Sequence, residues 1–228
     1  MSQNAPLELA FSSKYDSAHA LRYFHKHRDG VARRLSDWRD RQLARQALRA
    51  AGDPGLVLDL PCGAGRFWPL LAEHPNRVIL AADNSQHMLD VALSRQPSGI
   101  VGRVHAFRTS AFAIDLDDGA VDCVFCMRLL HHLAEAEHRL AMLRECHRVT
   151  RDTLIVSLWV DGNYKAWRRR RLESRRAGRD GTENRNRFVV PVARAEAEFA
   201  AAGFEILGYG DFLPGYAMWR VYTLRKRP

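Results

Sequence analysis

Short runs of apolar residues recur through the middle and the end of the chain, and each is bounded by glycine, proline or charged residues. Runs of about four to eight apolar residues with such boundaries are typical of strands that are buried on both faces of a sheet. We predict strands over residues 56–60, 77–83, 101–107, 120–127, 153–160, 204–209 and 218–224.

Segments with a helical spacing of apolar residues separate most of these runs. We predict helices over residues 66–73, 86–94, 134–149 and 192–202. Strands that alternate with helices indicate a mostly parallel sheet with helices on both faces, and the last two strands predict an antiparallel hairpin. Ligands of such sheets bind at the carboxyl ends of the strands.

The first 50 residues precede this strand pattern, and from about residue 14 their richness in Ala, Leu and Arg favours helix. Val31, Leu35 and Trp38 follow one helical stripe, whereas the apolar positions from Leu43 onward follow another. This shift of phase predicts two helices or one bent helix.

The length of 228 residues and the hydrophobic fraction of 46% fit a folded chain built around one α/β domain. Four cysteines do not indicate a disulfide scaffold. No apolar stretch approaches the ~20 residues of a membrane-spanning helix, and the N-terminus lacks the basic-then-apolar layout of a signal peptide. These features predict a cytoplasmic protein without a transmembrane segment.

The formal net charge of +9 is unevenly distributed along the chain. Residues 1–50 hold 10 basic and 5 acidic side chains, and residues 161–188 hold 10 and 4, whereas residues 51–160 hold 10 and 13. The middle of the chain is therefore mildly acidic, and the positive excess lies in two flanking segments.

The basic segment 161–188 follows the fifth predicted strand and resembles neither a strand nor a clean amphipathic helix. Three interpretations are open: an anionic surface, substrate or protein partner; nucleic-acid phosphates; or a solvated loop. Nucleic acid is the less favoured partner, because beyond Trp167 no aromatic residues for base stacking are interleaved with the arginines.

The turn after the first predicted strand carries the candidate chemistry. Gly63 and Gly65 allow close approach of the backbone to a ligand, and Asp83, at the end of the next strand, suits a ribose diol. A dinucleotide site requires a third glycine where Trp68 stands, and Asp59 is a poor neighbour for a pyrophosphate. A cofactor with an ammonium and a sulfonium group tolerates Asp59 better, although an NAD-dependent oxidoreductase remains an alternative.

Residues 57–67, VLDLPCGAGRF, resemble motif I of class I S-adenosylmethionine (SAM)-dependent methyltransferases, whose usual form is hydrophobic-Leu-Asp-x-Gly-Cys-Gly-x-Gly. Residues 79–89 resemble the acidic motif that follows it, and residues 126–133, CMRLLHHL, resemble the third block. The resemblance covers about residues 50–160. Within the family, the sequence resembles the small bacterial type 11 methyltransferases.

This resemblance implies a Rossmann-like, seven-stranded, mostly parallel sheet with helices on both faces and a C-terminal antiparallel hairpin strand. It also implies that residues 1–50 form a helical lid and that residues 51–228 form the methyltransferase domain, with residues 161–188 as a basic insertion.

The resemblance further implies a set of cofactor contacts. Asp59 would help to bind the methionine ammonium, Gly63 and Gly65 would lie beside the methionine, and Asp83 would accept both ribose hydroxyls. The other cofactor-binding positions that it implies are Pro61 and Cys62 in the turn, Asn84, Met88, Ser110 and Ala111 around the adenine, and Cys126 on the methionine side. Pro61 replaces the first glycine of the motif, and Ser110 replaces the usual acid.

The implied reaction is direct displacement of the sulfonium methyl by an N, O or C nucleophile of a small-molecule or anionic acceptor, including a cell-envelope glycolipid, with release of S-adenosylhomocysteine (SAH). The alternatives are a non-catalytic SAM-fold binding or regulatory protein and a tRNA or other nucleic-acid methyltransferase. A general base is needed only for a nucleophile of high pKa. Its identity is left open, and the candidates are His131, His132, Tyr15 and Tyr23.

No metal is expected in the site. Cys123 and Cys126 have the spacing of a metal-binding pair, but on a strand their side chains point to opposite faces. A second cysteine pair at zinc spacing is also missing from the sequence.

Overall fold

The computed structural model describes residues 30–176 and 187–227. The strands are β1 (Leu56–Asp59), β2 (Val78–Asp83), β3 (Val104–Arg108), β4 (Val121–Cys126), β5 (Thr150–Val160), β6 (Val189–Val190), β7 (Phe204–Asp211) and β8 (Trp219–Lys226). The helices are α1 (Val31–Ala50), α2 (Trp68–Leu71), α3 (Gln86–Arg95), α4 (Ser98–Val101), α5 (Ala136–Val149), α6 (Tyr164–Arg176) and α7 (Val192–Ala201), with a 3₁₀ turn at Leu130–His132.

These strands form one sheet in the order β3-β2-β1-β4-β5-β8-β7. The first five strands of that order run parallel, and β8 pairs antiparallel with both β5 and β7. The mostly parallel sheet with a C-terminal antiparallel hairpin is therefore confirmed. The two-residue strand β6 pairs with the end of β5 and adds an eighth strand to the seven that were expected.

The direction of winding reverses between β1 and β4, which lie side by side at the centre of the sheet. In an open α/β sheet, a ligand crevice forms at the carboxyl ends of the strands at this reversal. The residues that follow β1 and β4 therefore flank the principal candidate site.

Apolar side chains cover both faces of the sheet, as its strand pattern predicts. One face packs with α5 and α7 through Met142, Leu143 and Phe199, and the other packs with α1 through Leu43 and Ala44. Cys126 lies in the first of these clusters and Cys123 in the second. The two cysteines thus point to opposite faces, as expected.

The basic segment differs from its prediction, because residues 164–176 form the helix α6. The N–H groups of Tyr164 and Lys165 donate to the carbonyls of Gly215 and Tyr216, and the N–H of Ala166 donates to the Asn163 side chain. Arginine is a good helix former, so this capped arginine-rich stretch is helical although its apolar pattern is weak.

The N-terminal region is described from residue 30 onward, where α1 is a single helix. Tyr15 and Tyr23 lie outside the described residues. The shift of apolar phase in this helix separates exposed Leu35 and Trp38 from buried Leu43 and Ala44. The predicted helix over residues 66–73 is shorter than expected, at Trp68–Leu71. No helix in the described part of the chain is long and apolar enough to cross a membrane.

Candidate functional site

The turn after β1 depends on its glycines for its conformation and is held by a neighbouring side chain. Gly63 and Gly65 adopt φ angles of 53° and 69°, which favour glycine. A Cβ on Gly65 would lie 2.8 Å from the ring of Trp68, which is completely buried. The Gln96 amide donates to the carbonyls of Ala64 and Gly65, at 3.1 and 2.9 Å. The turn therefore requires glycine at position 65 and is tied to Gln96, which follows α3.

Asp83, at the end of β2, is bound directly to this turn. Its Oδ2 accepts the N–H of Gly63 at 2.9 Å, and its Oδ1 accepts the N–H of Ser85 at 2.9 Å. Burial raises the pKa of Asp83 to about 6, against the opposing effect of these N–H groups. Each carboxylate oxygen accepts more than one hydrogen bond, so Asp83 retains acceptor capacity for a diol.

Asp59 is the least compensated charge near the turn. Its side chain is completely buried, and its Oδ2 has no hydrogen-bond partner among the described residues. Burial and the neighbouring Asp83 raise the pKa of Asp59 well above its usual range, and the Trp68 indole opposes them in part. A buried carboxylate without a cation is unfavourable, so this position suits a cationic ligand group.

The other predicted cofactor positions lie on or next to the same strands. Asn84 follows β2 and is exposed, whereas Met88 is buried on α3. Ser110 and Ala111 follow β3, and the Ser110 hydroxyl accepts the N–H of Phe112 at 3.2 Å. Cys126 ends β4 and is completely buried in the core. Pro61 and Cys62 lie within the turn itself. Contact of these side chains with a cofactor stays a prediction.

Sequence reasoning missed Arg128, which lies just beyond the end of β4. Its backbone has a φ of 68°, which is unusual for a residue other than glycine, and its N–H donates to the Ser157 hydroxyl at 2.8 Å. Its guanidinium lies 4.7 Å from the centre of the Trp219 ring and pairs with Asp40 of α1. Strained backbone held by such contacts is often found at functional sites.

Asp40 also links α1 to the glycine turn. Its carboxylate is buried and lies 2.7 Å from the guanidinium of Arg66, which follows Gly65. Arg66 pairs with Asp37 as well, at 2.8 Å. The helix α1 is thereby joined through ion pairs to both sides of the crevice, beyond β1 and beyond β4. The arginines and aspartates are far apart in sequence, so only their fold brings them together.

His131 forms the centre of an aromatic cluster at the same edge of the sheet. Its ring stacks on Trp159 at 5.3 Å and meets Trp219 edge-on at 4.7 Å. Burial lowers the pKa of His131 well below its usual value, and His132, Arg128 and Arg187 lower it further. The imidazole is therefore neutral at pH 7. Its Nδ1 is buried without a partner among the described residues, so a role as a base stays a prediction.

Two more arginines lie against this cluster. The guanidinium groups of Arg169 and Arg187 lie 5.3 and 5.7 Å from the centre of the Trp159 ring. Together with Arg128, they give this side of the crevice an aromatic wall with positive charge. We call the wall formed by Arg128, His131, Trp159, Arg187 and Trp219 the cationic wall. Among the described residues, no group of three or more His, Cys, Asp or Glu side chains is placed to hold a metal ion.

Residues 57–153 match the sequence profile of a family described as "Methyltransferase domain". Among curated proteins, the chain is 26% identical over 142 residues to tRNA (carboxymethyluridine(34)-5-O)-methyltransferase of Macaca fascicularis, covering 61% of this chain and 20% of that protein. The counterpart from Mus musculus is 24% identical over 186 residues, covering 79% of this chain and 26% of that protein. The chain thus spans about a fifth to a quarter of the length of these relatives.

Solved structures share the fold at low sequence identity. Magnesium protoporphyrin IX methyltransferase of Synechocystis, with bound SAH, superposes with a TM-score of 0.70 at 18% identity, covering 95% of this chain and 96% of that one. The partner of the Trm112 methyltransferase activator in a complex from Haloferax volcanii superposes with a TM-score of 0.65 at 13% identity, covering 97% of this chain and 100% of that one. The [4+2]-cyclase SpnF superposes with a TM-score of 0.63 at 18% identity, covering 82% of this chain and 80% of that one.

Proposed function

We propose that this chain, whose residues 57–153 form a class I SAM-dependent methyltransferase domain, transfers the methyl group of SAM to an anionic acceptor. The observation that carries the proposal is the completely buried carboxylate of Asp59, which has an unpartnered oxygen beside the turn that Asp83 holds. A ligand with a cationic amino-acid end and a ribose satisfies both carboxylates at once.

The residues of the turn have distinct roles in this proposal. Asp59 provides the negative charge that attracts the ammonium of the methionine, and Asp83 accepts the ribose hydroxyls on its remaining lone pairs. Gly63 and Gly65 leave room for the ligand beside the backbone. SAM supplies a methyl group activated by a positively charged sulfur.

The cationic wall defines the acceptor side. Arg128 and Arg187 favour an acceptor that carries a carboxylate, phosphate or other anionic oxygen, because guanidinium groups pair with such oxygens through charge-assisted hydrogen bonds. The rings of Trp159 and Trp219 are covered by the arginines of this side and by His131, so they support the guanidinium groups and do not themselves stack on the acceptor. Small acidic molecules and cell-envelope glycolipids both meet this description.

The reaction is a direct displacement. A bond forms between the acceptor nucleophile and the methyl carbon while the carbon–sulfur bond breaks, and its electron pair stays on sulfur to give neutral SAH. An ionised nucleophile carries no proton to remove, so the buried and neutral His131 need not act as a base. The contribution of the chain is then mainly to position the two reactants.

Methyl transfer is tested with tritium-labelled SAM and three acceptor pools: acidic small molecules, extracted envelope lipids, and tRNA. We expect label in one of the first two pools. Because a hydrogen bond to a charged group contributes about 1.5–3 kcal/mol, Arg128→Gln should lower the rate about tenfold to hundredfold. Arg144→Gln, at an exposed arginine of α5, is the matched control and should keep the rate of the original chain.

A tRNA methyltransferase is the second candidate. It is favoured by relatives with that name that are 24–26% identical over 61–79% of this chain, and by the net charge of +6 in residues 161–188. Label found only in tRNA, with binding that weakens steeply as salt rises, would replace the anionic acceptor by this candidate.

A non-catalytic or differently reacting protein is the third outcome. The neighbour named as a [4+2]-cyclase illustrates that one fold hosts different reactions. Binding of SAH without label in any of the three pools would indicate such a protein. Failure to bind SAH at all would contradict the proposed cofactor as well.

A further inference from the structure

The outer surface of α6 combines aromatic side chains with arginines. Tyr164, Trp167, Arg168, Arg171 and Leu172 are spaced by three or four residues and therefore share one helical face. Tyr164 and Trp167 are 47% and 55% exposed, which is high for large aromatic residues. The opposite face of α6 is turned inward, where Ala166 is buried and the Arg169 guanidinium lies over Trp159.

The loop between β7 and β8 extends this face. The Tyr216 ring stacks on Tyr164 at 5.6 Å with an interplanar angle of 11°, and Tyr216 and Leu213 are also exposed. The N–H groups of Tyr164 and Lys165 donate to the carbonyls of Gly215 and Tyr216, at 2.9 and 3.0 Å. Helix and loop are thus joined through the backbone. We call the surface formed by Tyr164, Trp167, Arg168, Arg171, Leu172, Leu213 and Tyr216 the aromatic–arginine face.

The charge of this face is positive. The Lys165 ammonium lies 5.1 Å from the centre of the Tyr216 ring, and the Arg171 guanidinium lies 5.4 Å from that of Trp167. The single acidic residue of α6, Glu173, pairs with Arg169 on the inner side of the helix. Exposed aromatic residues are therefore surrounded by basic groups.

We propose that the aromatic–arginine face docks the protein onto an anionic lipid bilayer. Tyr and Trp side chains prefer the boundary between headgroups and acyl chains, because each has an apolar body and a polar tip. Arginine and lysine around them are attracted to anionic headgroups. A helix with both features lies in the plane of the interface without crossing the membrane.

The arrangement of the rings favours lipid over nucleic acid as the partner. Sequence-tolerant binding of single strands requires ring faces on which bases stack. The Tyr216 ring has Tyr164 stacked on it and Lys165 against it, and the Trp167 ring has Arg171 over it. Insertion into the headgroup region requires no open ring face, so these contacts do not oppose lipid binding.

The position of α6 connects this surface with the site. The helix follows β5, whose carboxyl end carries Trp159 of the cationic wall. Docking through the outer face of α6 therefore places the cationic wall close to the bilayer surface. An acceptor held in that surface would reach the site without leaving the membrane. Docking itself requires neither SAM nor methyl transfer, so it is tested independently of the proposed function.

The test is flotation of the full chain with phosphatidylcholine vesicles that contain either no anionic lipid or about 40 mol% phosphatidylglycerol, at low and high salt. We expect binding to the anionic vesicles alone, and weaker binding at high salt. The double variant Arg168→Gln, Arg171→Gln should bind anionic vesicles about 25-fold more weakly, because each basic residue near the membrane surface contributes about 1 kcal/mol to binding. Trp167→Ala with Tyr216→Ala should also weaken it at least about tenfold.

Matched controls lie elsewhere on the surface. Trp38 is as exposed as Trp167, at 55%, and Arg95 and Arg144 are exposed arginines outside α6. Trp38→Ala, and Arg95→Gln with Arg144→Gln, should leave vesicle binding unchanged. Equal binding to both kinds of vesicle, or equal losses in the controls, would overturn the proposal. The proposal would also be overturned if the original chain bound tRNA but not vesicles, and if the α6 variants lost that tRNA binding. Unchanged thermal unfolding verifies that each variant is folded.

Discussion

Replacing Asp83 by Asn is expected to separate ligand binding from stability. Burial raises the pKa of this carboxyl from its ordinary value of 3.8 to about 6. At about 1.4 kcal/mol per pKa unit, the ionised carboxylate costs the folded chain about 3 kcal/mol. The cost is absent below the unfolded-state pKa, grows between about pH 4 and pH 6, and is complete at pH 7.

The amide that Asp83→Asn introduces carries no charge, but it has only one acceptor oxygen for the N–H groups of Gly63 and Ser85. Leaving one of them unpaired costs about 1–3 kcal/mol. At pH 7 the variant should therefore equal or exceed the original chain in stability, by up to about 2 kcal/mol. Its SAH affinity should fall at least about tenfold, because an interaction with the ribose hydroxyls is lost.

The assay is urea unfolding of both chains, without ligand, at pH 4, 5, 6 and 7. The stability of the original chain minus that of the variant should fall by about 2.4 kcal/mol from pH 4 to pH 7, because about 0.5 kcal/mol of the cost is already present at pH 4. Taking the difference removes carboxylates such as Asp37 and Glu73, whose lowered pKa values give the opposite pH dependence. A difference that does not change with pH would contradict the raised pKa of Asp83, and a variant that keeps its SAH affinity would contradict its contact with the ribose.

Two further predictions concern the scaffold. Gly65→Ala forces a Cβ to within 2.8 Å of the Trp68 ring at a φ of 69°, and urea unfolding should show a loss of stability of about 2–5 kcal/mol. The control Gly99→Ala, at an open position, should change stability by less than about 1 kcal/mol. Arg139→Met leaves the buried Glu198 without the guanidinium that lies 2.6 Å from it, and unfolding should show a loss of about 3–5 kcal/mol. A second change, Glu198→Leu, should restore only part of this loss, because the carbonyls of Leu133 and Ala134 have also lost a donor. A loss for Gly99→Ala equal to that for Gly65→Ala, or a double variant as unstable as Arg139→Met, would contradict these two explanations.

Local sequence was sufficient to locate the strands and the turn that carry Asp59 and Asp83. These strands are buried on both faces, so their apolar runs are clear, and their carboxyl ends meet at one edge by topology alone. The direct bond between Asp83 and Gly63 follows from the adjacency of β1 and β2.

The proposed acceptor side could not be predicted in the same way. Arg128 and Asp40 are 88 residues apart and meet only after α1 packs on the sheet, and the φ of Arg128 has no local signal. Helix α6 was missed because its apolar stripe is short, and caps from the β7–β8 loop fix its N-terminus. The contact between His131 and Trp159 likewise depends on the packing of β5 against the 3₁₀ turn.

Calorimetric titration of the full chain with SAH tests whether the turn at residues 60–65, beside the carboxylates of Asp59 and Asp83, binds SAM. We expect one SAH bound per chain, with an affinity that falls at least about tenfold in Asp59→Asn and is unchanged in Asp90→Asn, an exposed carboxylate of α3. NADH should give neither heat nor an increase in fluorescence. A folded chain that releases no heat with SAH at high micromolar concentration, or that binds NADH instead, would contradict SAM binding at this turn.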